Sequence, residues 1–250
     1  MITERETRRY ARQIAIPGWG SQGQEKLREA KVLVAGVGGL GSSVATYLAV
    51  AGVGKIRIVD CDRVEPSNLN RQVLHWDRDV GRHKIDSAVE KLASINPDIH
   101  IEGIKDTITE DNVSDLVADH LIVDAMDNLA GRYLLNLAAI GGGLPLFHGA
   151  VYGFEGRVTT VIPGTTPCLR CLYRGDLPGE VPVVGVATGI VGCIQAAEVI
   201  KHVLGLGRLL AGRLLVFDGL SSSFSELRVK KDPECEHCKS FDHSVARDEG

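Results

Sequence analysis

The stretch that most limits the fold is KVLVAGVGGLG, residues 31–41, where an apolar strand pattern runs straight into four glycines within six residues. GVGGLG, from Gly36 to Gly41, then opens an apolar helical pattern at 40–51. A strand, a glycine turn and a helix in this order leave bare backbone amides and a helix N-terminus where a phosphate can approach. Asp60 ends the next strand pattern, KIRIVD, nineteen residues after Gly41. A carboxylate there is suited to accept hydrogen bonds from ribose hydroxyls. The loop matches a dinucleotide fingerprint and does not by itself decide between NAD and ATP. An NAD(P)-dependent oxidoreductase stays open as the alternative, and a non-catalytic metal-stabilised adaptor as a third reading.

Around this unit, KVLVAG, KIRIVD, DIHIEGI and HLIVDA are short apolar segments separated by helical patterns at 40–51, 81–94, about 110–118 and 128–142. That alternation predicts a Rossmann-like, doubly wound α/β fold with a largely parallel sheet. PLFHGA and RVTTVIP, with Gly153 and Gly156 marking a turn, read as later strands that run antiparallel, and RLLVFDG and SELRVK as a closing pair. Between them GIVGCIQAAEVIKHVL reads as a helix. The first thirty residues read as two helices, from the capping-box spacing of Thr3 with Glu6 and of Ser21 with Gln24. No repeat or linker interrupts the chain. Residues 1–250 are expected to form one domain, with N-terminal helices over 1–30, a metal-bearing part over about 160–240 and a frayed tail from Lys239.

Composition narrows the function. A net charge of −4 leaves no general basic field for nucleic acid or an anionic membrane. The longest charge-free run, Val181 to Ala197, carries Pro182, Thr188 and Gln195 and is short for a spanning helix, so it is expected to be buried. MITERETRRYARQ lacks an apolar signal-type stretch, and a cytoplasmic protein is expected. Among six cysteines, Cys168 with Cys171 and Cys235 with Cys238 form two CxxC pairs 63 residues apart. Each tight turn can present two thiolates to one ion, and two turns complete a closed, structural four-sulfur zinc site expected to pin the C-terminal strand pair to the core. Cys193 reads as core. Cys61 lies between two aspartates, which disfavour its thiolate.

After Asp60, DCDRVEPSNLNRQ packs Asp62, Asn68, Arg71 and Gln72 beside the glycine loop, a density of phosphate-compatible groups that hydride transfer does not need. In ordered combination, RYARQI, GVGGLG, VDCD, SNLNRQ, VGRHK and DAMDN, with the two CxxC pairs, resemble the ThiF/MoeB/HesA adenylyltransferases, relatives of ubiquitin-activating enzymes, over about residues 9–238. The layout is similar to MoeB-type members. The resemblance implies ATP over Gly36, Gly38, Gly39 and Gly41, and attack on its α-phosphate by the C-terminal carboxylate of a ubiquitin-like sulfur carrier ending in Gly-Gly. Acyl adenylate and pyrophosphate result.

Anion meeting anion needs positive charge on the phosphates and Mg2+ on the leaving group, and Arg71 and Lys84 are the local candidates. The resemblance puts Asp127, with Asn128 beside it, at the Mg-ATP phosphates. Asp127 could also serve as a helix N-cap. Arg12 becomes an arginine finger that reaches a homodimer partner's ATP. Asn68 and Gln72 bind phosphate or hold the loop. His148 and His83 could lie near the site without an assigned role. Family members that link covalently to their carrier usually hold a cysteine ahead of the helix near Gly185. None occurs here between Cys171 and Cys193, so catalysis is expected to stop at the acyl adenylate. Carrier identity, pathway (molybdopterin, thiamine, cysteine or tungsten cofactor) and sulfur donor are not readable from the chain.

Overall fold

The computed structural model describes residues 2–173 and 182–240. The chain begins with α1 (Glu4–Arg9), α2 (Ala11–Ile14) and α3 (Gly20–Glu29), followed by β1 (Lys31–Ala35), α4 (Gly39–Ala51) and β2 (Lys55–Val59). Then come α5 (Lys84–Ile95), β3 (His100–Ile104), α6 (Val113–Val117), β4 (Leu121–Asp124) and α7 (Leu129–Gly142). The remainder is β5 (Leu146–Tyr152), β6 (Glu155–Val161), α8 (Leu169–Leu172), α9 (Gly185–Leu204), β7 (Arg213–Asp218) and β8 (Ser223–Arg228).

All eight strands join one sheet in the order β3-β2-β1-β4-β5-β6-β7-β8. The first five are mutually parallel and the last four pair antiparallel, as the sequence pattern predicts. Strand β1 has period-two alternation: Val32 and Val34 join one apolar cluster with α3, α4, α5 and α9, while Leu33 and Ala35 join a second with α6, α7 and α8. Helices therefore cover both faces of the parallel half, which explains the unbroken apolar runs of its central strands. The order reverses between β1 and β4, whose ends meet at Ala35 opposite Asp124. A crevice opens there, outside the strands' carboxyl ends.

Several local expectations shift. Thr3 and Glu6 form the capping box, with Glu6 N–H donating to Thr3 Oγ1 and Thr3 N–H to Glu6 Oε2. Ser21 and Gln24 do not: α3 starts at Gly20, and Gln24 is buried, its carbonyl accepting from Gln13 and its amide donating to Ala51 O. Tertiary contact takes that side chain away from its own helix end. Three short helices, not two, precede β1. The helix predicted from 81 starts at Lys84, because Gly81 lies at φ +86° and the backbone of 81–83 pairs with that of 63–64 in a short antiparallel bridge. Gly153, at φ +57°, makes the β5–β6 turn, whereas Gly156 lies inside β6 opposite Val151. Of the tail expected to fray from Lys239, residues 241–250 lie outside the described residues, and Lys239 and Ser240 lie in a turn.

Helix α9 is the one described helix long and apolar enough to cross a membrane by length and composition. Its residues Val191, Ala196 and Val199 are instead buried in the larger apolar cluster, against α4, β5 and β6. Core burial accounts for its hydropathy, as expected for the charge-free run.

Candidate active site

The crevice at the β1–β4 reversal is a cleft of about 980 Å³, at the upper end for small-molecule sites (about 300–1,000 Å³). Its floor is the glycine loop. Gly36 lies at φ +89°, where a side chain would be strained, and a Cβ on Gly41 would stand 1.9 Å from Gly36 O. Gly41 therefore allows α4 to close on the loop and does not itself line the cleft, while Gly36, Gly38 and Gly39 do. No side chain caps α4, and among the described residues the N–H groups of Gly38 and Gly39 have no hydrogen-bond partner. Bare amides at a helix start suit an anion.

Asp60 shapes this loop as well as lining the cleft: one oxygen accepts from Val37 N–H at 2.9 Å and the other from Asp62 N–H at 2.9 Å. Lys84, at the first position of α5, is 6% exposed, so it is not a solvated surface lysine. Its Nζ donates to Asp62 at 2.9 Å, and that hydrogen bond, against partial burial, holds the Asp62 carboxyl below its ordinary range. Arg71 donates to Ser67 O and Asn70 Oδ1 across the cleft wall. Asn68 accepts from Glu65 N–H at 3.0 Å and so holds the SNLNRQ turn. Gln72 is buried beneath Gly38 with its Oε1 unpartnered.

On the opposite wall Asp127 is exposed and lines the cleft, accepting from Asn128 at 3.2 Å and from no other described residue. Asn128, not Asp127, caps α7, its Oδ1 accepting from Gly131 N–H at 2.8 Å. The capping role considered for Asp127 thus passes to its neighbour. Arg12 is exposed on α2 and does not line the cleft; among the described residues it has no ion pair. Cys61 is exposed at the rim, and Cys193 is half-buried with its thiol pushed up by burial. Residues 174–181, most of the stretch between Cys171 and the helix at Gly185, lie outside the described residues.

A group less visible in sequence lies behind this wall. Asp124 and His148 are fully buried, and His148 Nδ1 stands 2.6 Å from Asp124 Oδ2 while its Nε2 stands 2.8 Å from Tyr173 Oη. A carboxylate can only accept, so Nδ1 carries the proton and the tyrosine donates to Nε2. Burial opposes ionisation of Asp124, but Arg132, His148 and the Met126 N–H together outweigh it and keep the carboxyl low. Burial also holds His148 below its ordinary value, against the pull of Asp124. Arg132 is buried, donates to Met126 O at 2.6 Å, and lines the cleft with Tyr173. Its signal was its place four residues after Asn128, one turn into α7, which turns it back toward the strand ends. His148 carried no such signal: nothing local ties it to Asp124.

Remote from the cleft, the four paired cysteines converge. Their sulfurs all lie within 4.8 Å of one another, with Cys168 Sγ 3.6 Å from Cys235 Sγ and Cys171 Sγ 3.6 Å from Cys238 Sγ. Disulfides require about 2.05 Å, so these are free thiols, while four sulfurs about 2.3 Å from one tetrahedral ion stand about 3.8 Å apart. The cluster can hold a metal ion. Without a cation, burial pushes the Cys168 thiol up to about 11. What the cluster pins differs from expectation. The β7–β8 pair is already held by the sheet, whereas the cysteines join the segment after β8 to α8 and α7, where Asn136 accepts from Leu169 N–H and donates to His237.

A profile of the ThiF family matches residues 10–237. The chain is 44% identical to the SAMP-activating enzyme E1 of Haloferax volcanii, over 92% of this chain and 88% of that protein. It is 43% identical to the sulfur carrier protein adenylyltransferase of Thermus thermophilus, over 94% and 92% respectively. Similarity to the adenylyltransferase and sulfurtransferase MOCS3 of Bos taurus is 40%, over 95% of this chain and 54% of that longer protein. Among solved structures, E. coli MccB with MccA-N7isoASN superposes with a TM-score of 0.85 at 23% identity, covering 92% of this chain and 74% of that one. This likeness shows the fold.

The buried histidines generate a pH dependence. His148 and His75 both titrate below their ordinary 6.5 when folded, so the unfolded chain binds more protons in the window below pH 6.5. Their stability contribution is complete above 6.5 and is lost as pH falls, each by up to about 1.4 kcal/mol per pH unit. Urea unfolding is expected to show lower stability at pH 5 than at pH 7. His148→Gln, which takes up no proton there, should shrink the difference; an unchanged difference would remove His148 from its cause.

Proposed function

The chain belongs to the ThiF family, and on that premise we propose that it uses ATP to adenylate the C-terminal glycine carboxylate of a ubiquitin-like sulfur-carrier protein, releasing pyrophosphate. The observation that carries this reading is the convergence of GVGGLG, SNLNRQ, Lys84 and Asp127 on one cleft. The whole of residues 1–250 is read as a single adenylation domain working in the cytoplasm.

ATP is the nucleotide of this reading rather than NAD. Its phosphates meet the N–H groups of Gly38 and Gly39, which have no partner among the described residues, and the Gln72 amide nitrogen, the Gln72 atom nearest Gly38, supports the same floor. Asp60 carries the ribose in addition to the loop, since each carboxylate oxygen has two lone pairs and is used here once. Lys84 and Arg71 stabilise charge on the phosphates as the carrier carboxylate attacks the α-phosphorus. Lys84 needs only to exchange part of its bond to exposed Asp62 for phosphate. Asn68 keeps the turn that presents Arg71.

The cleft is not cationic overall. Arg71, Lys84, Arg132 and Arg157 face Asp60, Asp62, Glu65, Asp106, Asp127 and Glu155. Acids outnumber bases before a triphosphate enters, so further positive charge is required. Exposed Asp127, a hard oxygen donor without a cationic partner among the described residues, fits Mg2+, with Asn128 beside it. When bound, Mg2+ supplies charge neutralisation for the pyrophosphate leaving group. Arg12, exposed and away from its own cleft, fits a finger directed at a second copy's phosphates in a homodimer. The four-cysteine cluster fits Zn2+ by donor type and spacing, with Cys168, Cys171, Cys235 and Cys238 as ligands in a closed structural role.

No thiol here is suited to take the acyl group. Cys61 sits against Asp62 at 3.6 Å and Cys193 is held protonated, so the reaction stops at the acyl adenylate and a second protein supplies the sulfur or amine.

ATP–pyrophosphate exchange is expected only with a Gly-Gly-ending carrier present, with no NAD reduction, and Lys84→Ala should lower it by about 10²-fold or more. Exchange absent with every carrier tested, beside clear NAD binding, would overturn the assignment. One zinc per chain is expected by metal analysis, and Cys168→Ser should release it and lower the melting temperature by about 10 °C. A metal-free native protein of undiminished stability would refute the zinc site. Mixing Arg12→Ala with Asp127→Ala chains should restore exchange, since one site of each heterodimer regains both groups. Verified heterodimers without rescue would return Arg12 to its own subunit or remove it from catalysis.

A further inference from the structure

His75 is 3% exposed and lies outside the cleft, yet it bonds to the cleft's floor. Its Nε2 stands 3.0 Å from the carbonyl oxygen of Val37, the second residue of the glycine loop. Its Nδ1 stands 2.9 Å from Ser87 Oγ on α5. A carbonyl can only accept, so Nε2 carries the proton and Nδ1 accepts from the Ser87 hydroxyl. Ser87 Oγ in turn accepts from Lys91 Nζ at 2.7 Å, and Lys91 is fixed by an ion pair with fully buried Asp79. Burial first, and then the charges of Lys91 and Lys84, lower the ring's proton affinity against the opposing pull of Val37 O and Asp60. The acceptor-only carbonyl of Val37 selects this tautomer, and Ser87 on α5 accommodates it.

The consequence for the loop follows from peptide geometry. In a trans peptide the carbonyl of one residue and the N–H of the next point in opposite directions. Val37 O is drawn away from the cleft by His75, with Ser42 Oγ adding a second contact at 3.3 Å. The N–H of Gly38, which lines the cleft and has no partner among the described residues, is therefore turned toward it. Asp60 holds the other end of the same residue through Val37 N–H. Without His75 the Val37 carbonyl keeps only the longer Ser42 Oγ contact, so the Val37–Gly38 peptide rotates more readily toward an orientation that offers the cleft a carbonyl oxygen, which repels phosphate.

We propose that His75 is a positioning residue for nucleotide binding: through Val37 O it sets the Val37–Gly38 peptide so that Gly38 N–H faces the phosphates, with Ser87 holding the ring from α5. This rests on the reading that ATP occupies the cleft. The test uses two isosteres of opposite reach in the full-length chain. A Gln amide overlays Nε2 and keeps the donor to Val37 O, whereas an Asn amide overlays Nδ1 and keeps only Ser87.

MgATP binding is measured by calorimetry without carrier, and exchange kinetics are measured with it. His75→Asn is expected to weaken ATP about tenfold, in Kd and in KM for ATP, with kcat and KM for the carrier changed by less than about threefold. His75→Gln should stay within about threefold of the native affinity. His75→Leu, which fills the space without any donor, should match or exceed the loss in His75→Asn. Native affinity in folded His75→Asn, equal losses in the Asn and Gln variants, or parallel losses of ATP and carrier affinity would each overturn the role of His75. Native protein that fails to bind MgATP would overturn the reading of the cleft itself, and with it this inference.

Discussion

The contact between Gly41 and Gly36 O sets the geometry from which the rest of the cleft follows. A hydrogen in place of a side chain lets the first turn of α4 lie directly over the end of β1, closer than any Cβ would permit. That approach turns the unpaired amides at the start of α4 into the crevice and away from protein partners. A second close approach supports it: a Cβ on Gly36 would stand 2.9 Å from Ala125 O. The glycine loop thus abuts the end of β4, and both sides of the reversal in strand order become walls of one site.

Charge in the interior is arranged around this loop rather than spread evenly. Asp79 is completely buried, with Lys91 and Arg82 as partners, and Lys91 also lies 4.7 Å over the Trp76 ring. Opening such a pair costs more than its formation contributes, since a lone buried ion is strongly disfavoured. On the far wall, Asp124 is satisfied by His148, Arg132 and a backbone amide. Both networks end at the segments that line the cleft. The exposed acids at the rim, by contrast, have few cationic partners, which fits a site that receives its counter-charge from outside.

Motifs whose meaning is local were legible in the sequence. KVLVAGVGGLG announced strand, turn and helix; Lys84 and Asp127 reached the cleft from VGRHK and DAMDN; two CxxC pairs met across 63 residues. Contacts decided by distant segments were not legible. Ser21 and Gln24 have capping spacing, yet Gln24 serves Ala51 instead. His75 and His148 lie in unremarkable strings, and their partners, Val37 and Asp124, are 38 and 24 residues away. Spacing rules describe what one element does with itself. They carry nothing about which loop a helix residue will support. The groups that line the cleft were therefore readable, while the residues that orient them required coordinates.

Helix α9 touches three parts of the molecule along one face. Thr188 packs on Gly39 of the glycine loop, and a Cβ on Gly192 would stand 2.8 Å from Leu40 O. Gln195 donates to the carbonyls of Asp124 and Phe147, bridging β4 and β5. Glu198 accepts from Leu210 N–H and Thr160 Oγ1 near the C-terminal strands. Spacings of four, three and three residues keep these groups on one stripe. A single residue inserted within that span would rotate everything beyond it by about 100°. An insertion within that span breaks contacts that one at either end of α9 leaves in register: the helix serves as a ruler whose divisions cannot be recut.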